Sequence, residues 1–120
     1  MDINNYMDRS EKMSEQFNIL TLKPYRSGNL TILSDAQREN RFSSNLWGTK
    51  TQISLLKGRI SKDSEGVAIK SPTRNIKGHN MSQYFYVFNL NQTNLKEESL
   101  NERRNQVEPF KKPRDFYKKK

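Results

Sequence analysis

The stretch Gln83-Tyr-Phe-Tyr-Val-Phe-Asn-Leu90 is the most apolar and aromatic part of the chain. Every residue from Tyr84 to Phe88 is aromatic or β-branched, which is the composition typical of a β-strand. Alternate side chains of a strand point to opposite faces of its sheet. One face would carry Tyr84, Tyr86, Phe88 and Leu90, and the other Phe85 and Val87. We therefore predict a central strand that is apolar on both faces, around which the other strands assemble.

Four further strands and one short helix are predicted before this stretch. Apolar alternation indicates strands over 17–22, 30–33 and 52–60 and a short strand over 67–69. A Gly-Asn turn within residues 25–29 would join the first two strands as a hairpin. Ser34 and Gln37 have the spacing of a capping box, which predicts a short helix over 35–42. The predicted fold is a mainly β, small α+β fold, with about five antiparallel strands in a sheet or a partly open small barrel.

The composition limits the size of the core. The chain has 120 residues, 32% of them hydrophobic, and its mean hydropathy is −1.05. This length suits one domain, and so low an apolar fraction allows only a thin core that a partner would help to stabilise. We predict a flexible arm over residues 1–15 and a small β-rich domain over 16–95. Residues 96–120 are predicted to be weakly helical and then to form an extended basic tail.

Few of the residue types needed for catalysis or metal binding are present. The chain has no cysteine, which excludes disulfides and thiolate metal sites, and its one histidine, His79, lies in a polar segment. It contains no phosphate-binding glycine loop and no nucleophile elbow. We therefore predict a protein that is not an enzyme and that has no cofactor and no metal site.

The sequence also lacks membrane and export signals. No apolar run approaches the length of about 18 residues that a membrane-spanning helix needs. The first 15 residues are polar and lack the basic and apolar regions of a secretory signal. These features predict an intracellular protein with no transmembrane segment, and the basic tail adds the nucleus as a candidate location.

The net charge of +9 is unevenly distributed. Residues 1–15 carry two basic and four acidic side chains, whereas residues 16–95 carry eleven basic and four acidic ones. Residues 96–120 carry nine basic and five acidic side chains, with nearly all of the excess after Pro109. A field of this sign attracts phosphate backbones, anionic membrane surfaces or acidic protein patches.

A basic loop over residues 70–77 is the first candidate binding segment. Lys70, Arg74 and Lys77 flank a run without a carboxylate, and such a loop suits contacts along a phosphate backbone. Ser71 begins a Ser-Pro-Thr-Arg sequence with the pattern of a proline-directed kinase site, so it is a candidate phosphorylation site. A phosphate there would add about −1.5 to −2 charges and oppose the attraction. The alternative is a solvated loop with no specific partner.

The tail over residues 110–120 is the second candidate. It interleaves aromatic residues with six cations, which are Lys111, Lys112, Arg114, Lys118, Lys119 and Lys120. Clusters of this kind act as nuclear import signals or nucleic-acid arms, and a ring such as that of Tyr117 can stack on an unpaired base. The alternative is a tail that only keeps the protein in solution.

The third candidate is a set of cations on the predicted strands, which would form a basic edge of the sheet and consists of Lys23, Arg26, Lys57, Arg59 and Lys70. Lys57 and Arg59 would share a face of the strand over 52–60, beside Tyr84 or Tyr86. Small β-barrels hold single strands of nucleic acid in this way, with cations on the phosphates and rings on the bases. The competing interpretation keeps all of the aromatic side chains in the core.

Together these features predict a small nucleic-acid-associated protein that binds DNA or RNA and acts as an accessory subunit of a larger complex. The predicted role of the cations is phosphate neutralisation, and that of Tyr84, Tyr86 or Tyr117 is base stacking. An alternative is a structural or adaptor subunit that docks its basic surface and arms on an acidic protein partner or lattice. A third hypothesis is attachment to an anionic membrane through the basic tail.

Overall fold

The computed structural model describes residues 14–71, 74–76, 78–81 and 83–107. Residues 1–13 of the predicted arm and the predicted basic tail from residue 108 onward lie outside the described residues. None of the helices in the described ranges has the length and apolar character needed to cross a membrane.

Six strands and three α-helices make up the regular structure of the described residues. In chain order the strands are β1 (Phe17–Asn18), β2 (Leu46–Gly48), β3 (Val67–Lys70), β4 (Arg74–Ile76), β5 (His79–Met81) and β6 (Tyr84–Asn89). The α-helices are α1 (Ser27–Asn40), α2 (Lys50–Leu55) and α3 (Leu100–Asn105). Short 3₁₀ helices occupy Leu90–Gln92 and Glu97–Ser99.

One mixed sheet contains β1, β2, β6 and β3 in that order. β1 runs parallel to β2, and β6 is antiparallel to both of its neighbours. β4 and β5 pair with each other as a separate hairpin, which lies between β3 and β6 in the chain. The prediction that the aromatic stretch forms a central strand is confirmed, because β6 is hydrogen-bonded along both edges. The short strand predicted over 67–69 is confirmed as β3.

The predicted five-stranded antiparallel sheet or small barrel is wrong. Over the described residues the main sheet has four strands and includes a parallel pair, and three α-helices take the place of the one short helix. The coarser class, a small α+β fold, agrees with the structure.

The predicted strand over 30–33 is the middle of the 14-residue helix α1. Leu33 and Ala36, three positions apart, are both buried against the sheet, whereas Ile32 is 38% exposed. This spacing is helical, since a strand would bury alternate residues. The predicted helix over 35–42 is therefore the second half of α1, and Ser34 lies buried within α1 instead of capping it.

The predicted strand over 52–60 is also wrong, because helix α2 begins before it and ends inside it. Thr49 and Gln52 form a capping box: the Thr49 Oγ1 accepts from the Gln52 N–H at 3.1 Å, and the Gln52 Oε1 accepts from the Thr49 N–H at 3.0 Å. Ile53 and Leu56, three positions apart, are buried. Lys57 then leaves the helix with a φ of 65°.

Two further predictions concern the segments that flank β6. The polar segment over 71–80, predicted as a loop, contains strands of the β4–β5 hairpin, in which Asn75 pairs with Asn80. Gly78 has a φ of 85°, a conformation that glycine adopts without steric cost and that the hairpin turn requires. Within the segment beyond residue 95, which was predicted to be weakly helical and then extended, the described residues contain α3.

Buried apolar side chains form one cluster on each face of the sheet. Helix α1 covers one face, where Trp47, Ile69 and Val87 are fully buried against it. The opposite face carries a larger cluster, to which α2 and α3 contribute. Its buried members are Ile19, Leu20, Leu46, Ile53, Leu56, Phe88, Leu90, Leu95, Leu100 and Val107. The sheet is therefore covered on both faces only where these two clusters overlap.

Candidate nucleic-acid interface

Two tyrosines of β6 are exposed on the face of the sheet that lies opposite α1. The side chains of Tyr84 and Tyr86 are 70% and 63% exposed. The antiparallel register places Lys70 directly across from Tyr84, and Ala68 directly across from Tyr86. Residues that lie opposite each other in a ladder share a face, so this open face presents two aromatic rings and a cation. The two tyrosines are roughly 6.8 Å apart along the strand.

This face is open because the second core cluster does not extend along the whole of β6. Phe88, two positions after Tyr86, is only 6% exposed, since it packs in the cluster formed with α2 and α3. Gly66 packs against both residues: a Cβ built on it would be 2.9 Å from the Tyr86 Cβ and 3.0 Å from the Phe88 Cζ. A larger residue at position 66 would displace Tyr86 or Phe88, so this close packing requires glycine.

A cleft of about 460 Å³ lies beside the Tyr84 end of the open face, at the edge of the sheet where the first turn of α1 meets β3. The first turn of α1 forms one wall, and the end of β3 forms the other. Its lining includes Arg26, Gly28, Ile32, Lys70, Ser71 and Tyr84. The cleft thus combines cations, a hydroxyl group and apolar surface beside an exposed aromatic ring.

The charge of this cleft is positive. Arg26 and Lys70 are exposed at its walls, and none of the residues that line it is acidic. Across the ranges that the structure describes, the one ion pair joins Arg38 to Asp35. Neither cation of the cleft is therefore paired with a carboxylate of the described residues.

Ser71 connects the cleft to the β4–β5 hairpin. Its N–H donates to the Gln83 carbonyl oxygen at 2.7 Å, and its Oγ accepts from the Gln83 N–H at 3.1 Å. These bonds extend the β3–β6 ladder by one residue pair. The candidate phosphorylation site therefore lies next to Lys70 with its hydroxyl oxygen bonded to the backbone, and its modification stays a prediction.

Lys57 and Arg59 are exposed, but they lie away from the open face. The Arg59 N–H donates to the Asn94 Oδ1 at 2.8 Å, and the Asn94 N–H donates to the Arg59 carbonyl oxygen at 3.1 Å. Asn94 follows the C-terminal end of β6, whereas Tyr84 begins that strand. The predicted basic edge over 52–60 is therefore wrong, because α2 replaces the strand that would have placed these cations beside the tyrosines.

The other predicted contacts lie outside the described residues. They are the side chain of Arg74, whose backbone belongs to β4, and Lys77, Lys111, Lys112, Arg114, Tyr117, Lys118, Lys119 and Lys120. Their contacts with nucleic acid stay a prediction.

Gly28 and Ile32 are cleft residues that the sequence did not reveal as a site, whereas Arg26 was a candidate cation that the sequence did not place beside them. The predicted hairpin placed Gly28 in a turn and Ile32 in a strand. In helix α1, Gly28 and Ile32 are four positions apart and so lie on one side of the helix. The helical spacing of Leu33 and Ala36 was the one sequence signal that pointed to this arrangement.

Two solved structures share the fold of this chain. The Mn(II)-bound crystal structure of the antirestriction protein ArdC from plasmid R388 matches with a TM-score of 0.63 and 24% sequence identity, over 71% of this chain and 33% of that one. The metal-free structure of the same protein matches with a TM-score of 0.60 and 19% identity, over 78% of this chain and 39% of that one. The chain thus spans well under half the length of these structures.

The manganese ion belongs to that larger protein. In the described part of this chain, no group of three or more His, Cys, Asp or Glu side chains is placed to hold a metal ion. The described residues therefore do not fit a manganese site.

Family membership rests on the sequence match. No protein of curated function is similar enough to the chain to count as a match. The family model for the N-terminal domain of the anti-restriction factor ArdC matches residues 6–116, which is nearly the whole chain. The protein therefore belongs to the family of the ArdC N-terminal domain.

Proposed function

We propose that the chain is a non-enzymatic binding module that holds single-stranded nucleic acid, and DNA in particular, on the open face of its sheet. The observation that supports this most strongly is the pair of exposed rings, Tyr84 and Tyr86, on the same face as Lys70. Two exposed aromatic side chains add little to the packing of the core. Every nucleobase has a flat surface that can stack on such a ring.

The spacing of the rings favours an unpaired strand. The bases of a duplex are already stacked on one another, about 3.4 Å apart, so their flat surfaces are not available to a side chain. Tyr84 and Tyr86 lie roughly 6.8 Å apart, which suits bases that are spread along an extended strand. Lys70, together with Arg26 in the cleft, would neutralise phosphates of the same strand.

The family supports DNA as the nucleic acid. Its members are named for antirestriction, and restriction is directed at DNA. The solved relative is encoded on a plasmid, which gives no support to the nuclear location predicted from the basic tail. Membership of a larger complex and binding of other protein subunits stay predictions.

A fluorescence-anisotropy titration with single-stranded and duplex oligonucleotides of equal length tests this function. We expect the single strand to bind more tightly, and its log K to fall linearly with log salt concentration by about 0.7 for each phosphate neutralised. Lys70→Ala is expected to reduce that slope by about 0.7. The control is Lys96→Ala, an exposed lysine outside the cleft, which should leave the slope unchanged.

Two results would contradict this function. One is the absence of single-strand binding at low salt, and the other is equal affinity for the duplex. Protein partners that remain bound to the natively purified chain after nuclease treatment would favour the adaptor alternative instead.

A further inference from the structure

The cleft beside Tyr84 provides space that a strand lying flat on the two rings would not use. Tyr84 belongs to both the open face and the cleft lining. The cleft volume of about 460 Å³ falls within the range of roughly 300–1,000 Å³ that is typical of small-molecule sites in proteins. It is therefore large enough to receive one group of a bound ligand.

The lining divides into an apolar part and a cationic part. Ile32 and Tyr84 provide apolar surface, whereas Arg26 and Lys70 provide positive charge. Because no lining residue is acidic, an anion would meet attraction without a competing carboxylate. A ligand with a flat, largely apolar ring and an attached phosphate matches this division, whereas an apolar peptide would leave both cations unpaired.

Two features keep the cleft open before any ligand binds. The Asn29 side chain ties the first turn of α1 to the end of β3 through two hydrogen bonds with the Lys70 backbone. Gly28 contributes no side chain, and a Cβ built on it would have no neighbour within 4 Å. A site whose walls are already fixed loses less conformational entropy on binding.

We propose that this cleft takes one unpaired nucleotide of the bound strand. Its base lies against Tyr84 and Ile32, and its phosphate lies near Arg26 and Lys70. The proposal rests on the proposed function and adds to it a nucleotide site at the Tyr84 end of the open face. A mononucleotide alone therefore binds there, although more weakly than a strand.

Gly28→Leu tests the nucleotide site, and Asn105→Leu, at an exposed position on α3 outside the cleft, is its matched control. Both variants add a leucine side chain without changing charge, but only the first adds it at a lining position. We expect Gly28→Leu to weaken the binding of a single-stranded oligothymidylate about tenfold, the effect expected from the loss of one bound base. Asn105→Leu is expected to bind like the unmodified chain.

NMR titration of the unmodified chain with thymidine 5′-monophosphate makes the test independent of any variant. We expect chemical-shift changes at the backbone amides of Gly28, Asn29 and Ser71, with none at Arg59, which lies away from the cleft. The absence of shifts at the cleft amides up to about 10 mM nucleotide would overturn the proposal.

The outcomes separate this inference from the proposed function. If the unmodified chain binds the single strand and folded Gly28→Leu binds it equally well, the nucleotide site is overturned and the stacking face stands. If the unmodified chain binds no single strand at low salt, both are overturned.

Discussion

The side-chain amide of Asn29 forms hydrogen bonds with both backbone polar groups of Lys70. The Asn29 Nδ2 donates to the Lys70 carbonyl oxygen at 2.7 Å, and the Asn29 Oδ1 accepts from the Lys70 N–H at 2.9 Å. In the sheet, β3 is an edge strand, and an unpaired edge is open to association with other chains. The two hydrogen bonds between Asn29 and Lys70 therefore protect this edge and hold α1 to the sheet at the wall of the cleft.

Replacing Asn29 tests whether this pair is structurally important. We expect Asn29→Ala to lower the free energy of unfolding by about 1–2 kcal/mol, because two hydrogen bonds are lost at a partly solvated site. Urea denaturation followed by tryptophan fluorescence measures the change. Asn105→Ala, at an exposed position on α3, is the control and should change stability by less than about 0.5 kcal/mol. An Asn29→Ala variant as stable as the control would show that the pair does not hold the cleft together.

A buried glutamine satisfies the indole N–H of the only tryptophan in the chain. The Trp47 Nε1 donates to the Gln16 Oε1 at 2.7 Å, and both residues are fully buried. The Gln16 Nε2 in turn donates to the Gln37 Oε1 at 2.7 Å and to the Ser14 carbonyl oxygen at 3.1 Å. This network joins the segment before β1 to β2 and α1.

We expect Gln16→Leu to lower the free energy of unfolding by about 2–4 kcal/mol, because it leaves several of these buried polar groups without partners. Guanidinium denaturation is the measurement. The control is Gln106→Leu, at an exposed position after α3. A loss below about 1 kcal/mol for Gln16→Leu would mean that water or another group replaces the missing amide.

The burial of the Tyr25 side chain leads us to expect a loss of stability at alkaline pH. Burial raises the pKa of Tyr25 above its ordinary value of 10.0, and the hydrogen bond donated by the Asn18 Nδ2 opposes this effect in part. The folded state thus keeps the phenolic proton to a higher pH than the unfolded state does. Above about pH 10 the unfolded state binds fewer protons, so the free energy of unfolding falls until the pH passes the pKa of the folded state.

Comparing the unmodified chain with Tyr25→Phe separates the effect of the Tyr25 phenol on the unfolding free energy from that of the lysines. Denaturation curves between about pH 8 and 11 should show a shallower decline in unfolding free energy for Tyr25→Phe. Parallel pH profiles for the two proteins would show that Tyr25 does not cause the loss of stability at alkaline pH.

The fold could be predicted from the sequence where one local signal was strong and unopposed. In β6, five consecutive aromatic or β-branched residues leave no competing helical pattern. The run over 30–33 fits either a strand or a helix, and the choice depends on packing against Trp47 and Val87, which are distant in sequence. Helix α2 differs, because the Thr49–Gln52 capping box was present in the sequence and the apolar alternation that follows concealed it.

The candidate site could be predicted only where it depends on strand pairing. Tyr84 and Tyr86 belong to a predicted strand, and Lys70 directly follows the strand predicted over 67–69; their common face follows from the pairing of β3 with β6. Arg26 and Ile32 join them because α1 packs beside β3, and no local pattern specifies that tertiary contact. The sequence therefore did not determine which residues of the α1 region lie next to β3.

Removal of the Tyr86 ring is the most direct test of base stacking on the open face. Because this side chain is 63% exposed, Tyr86→Ala should change folding stability by less than about 0.5 kcal/mol. Its affinity for a single-stranded oligothymidylate, measured by fluorescence anisotropy, should fall about tenfold, whereas Tyr86→Phe, which keeps the ring, should bind like the unmodified chain. A folded Tyr86→Ala variant that binds the single strand as tightly as the unmodified chain would contradict stacking on this face.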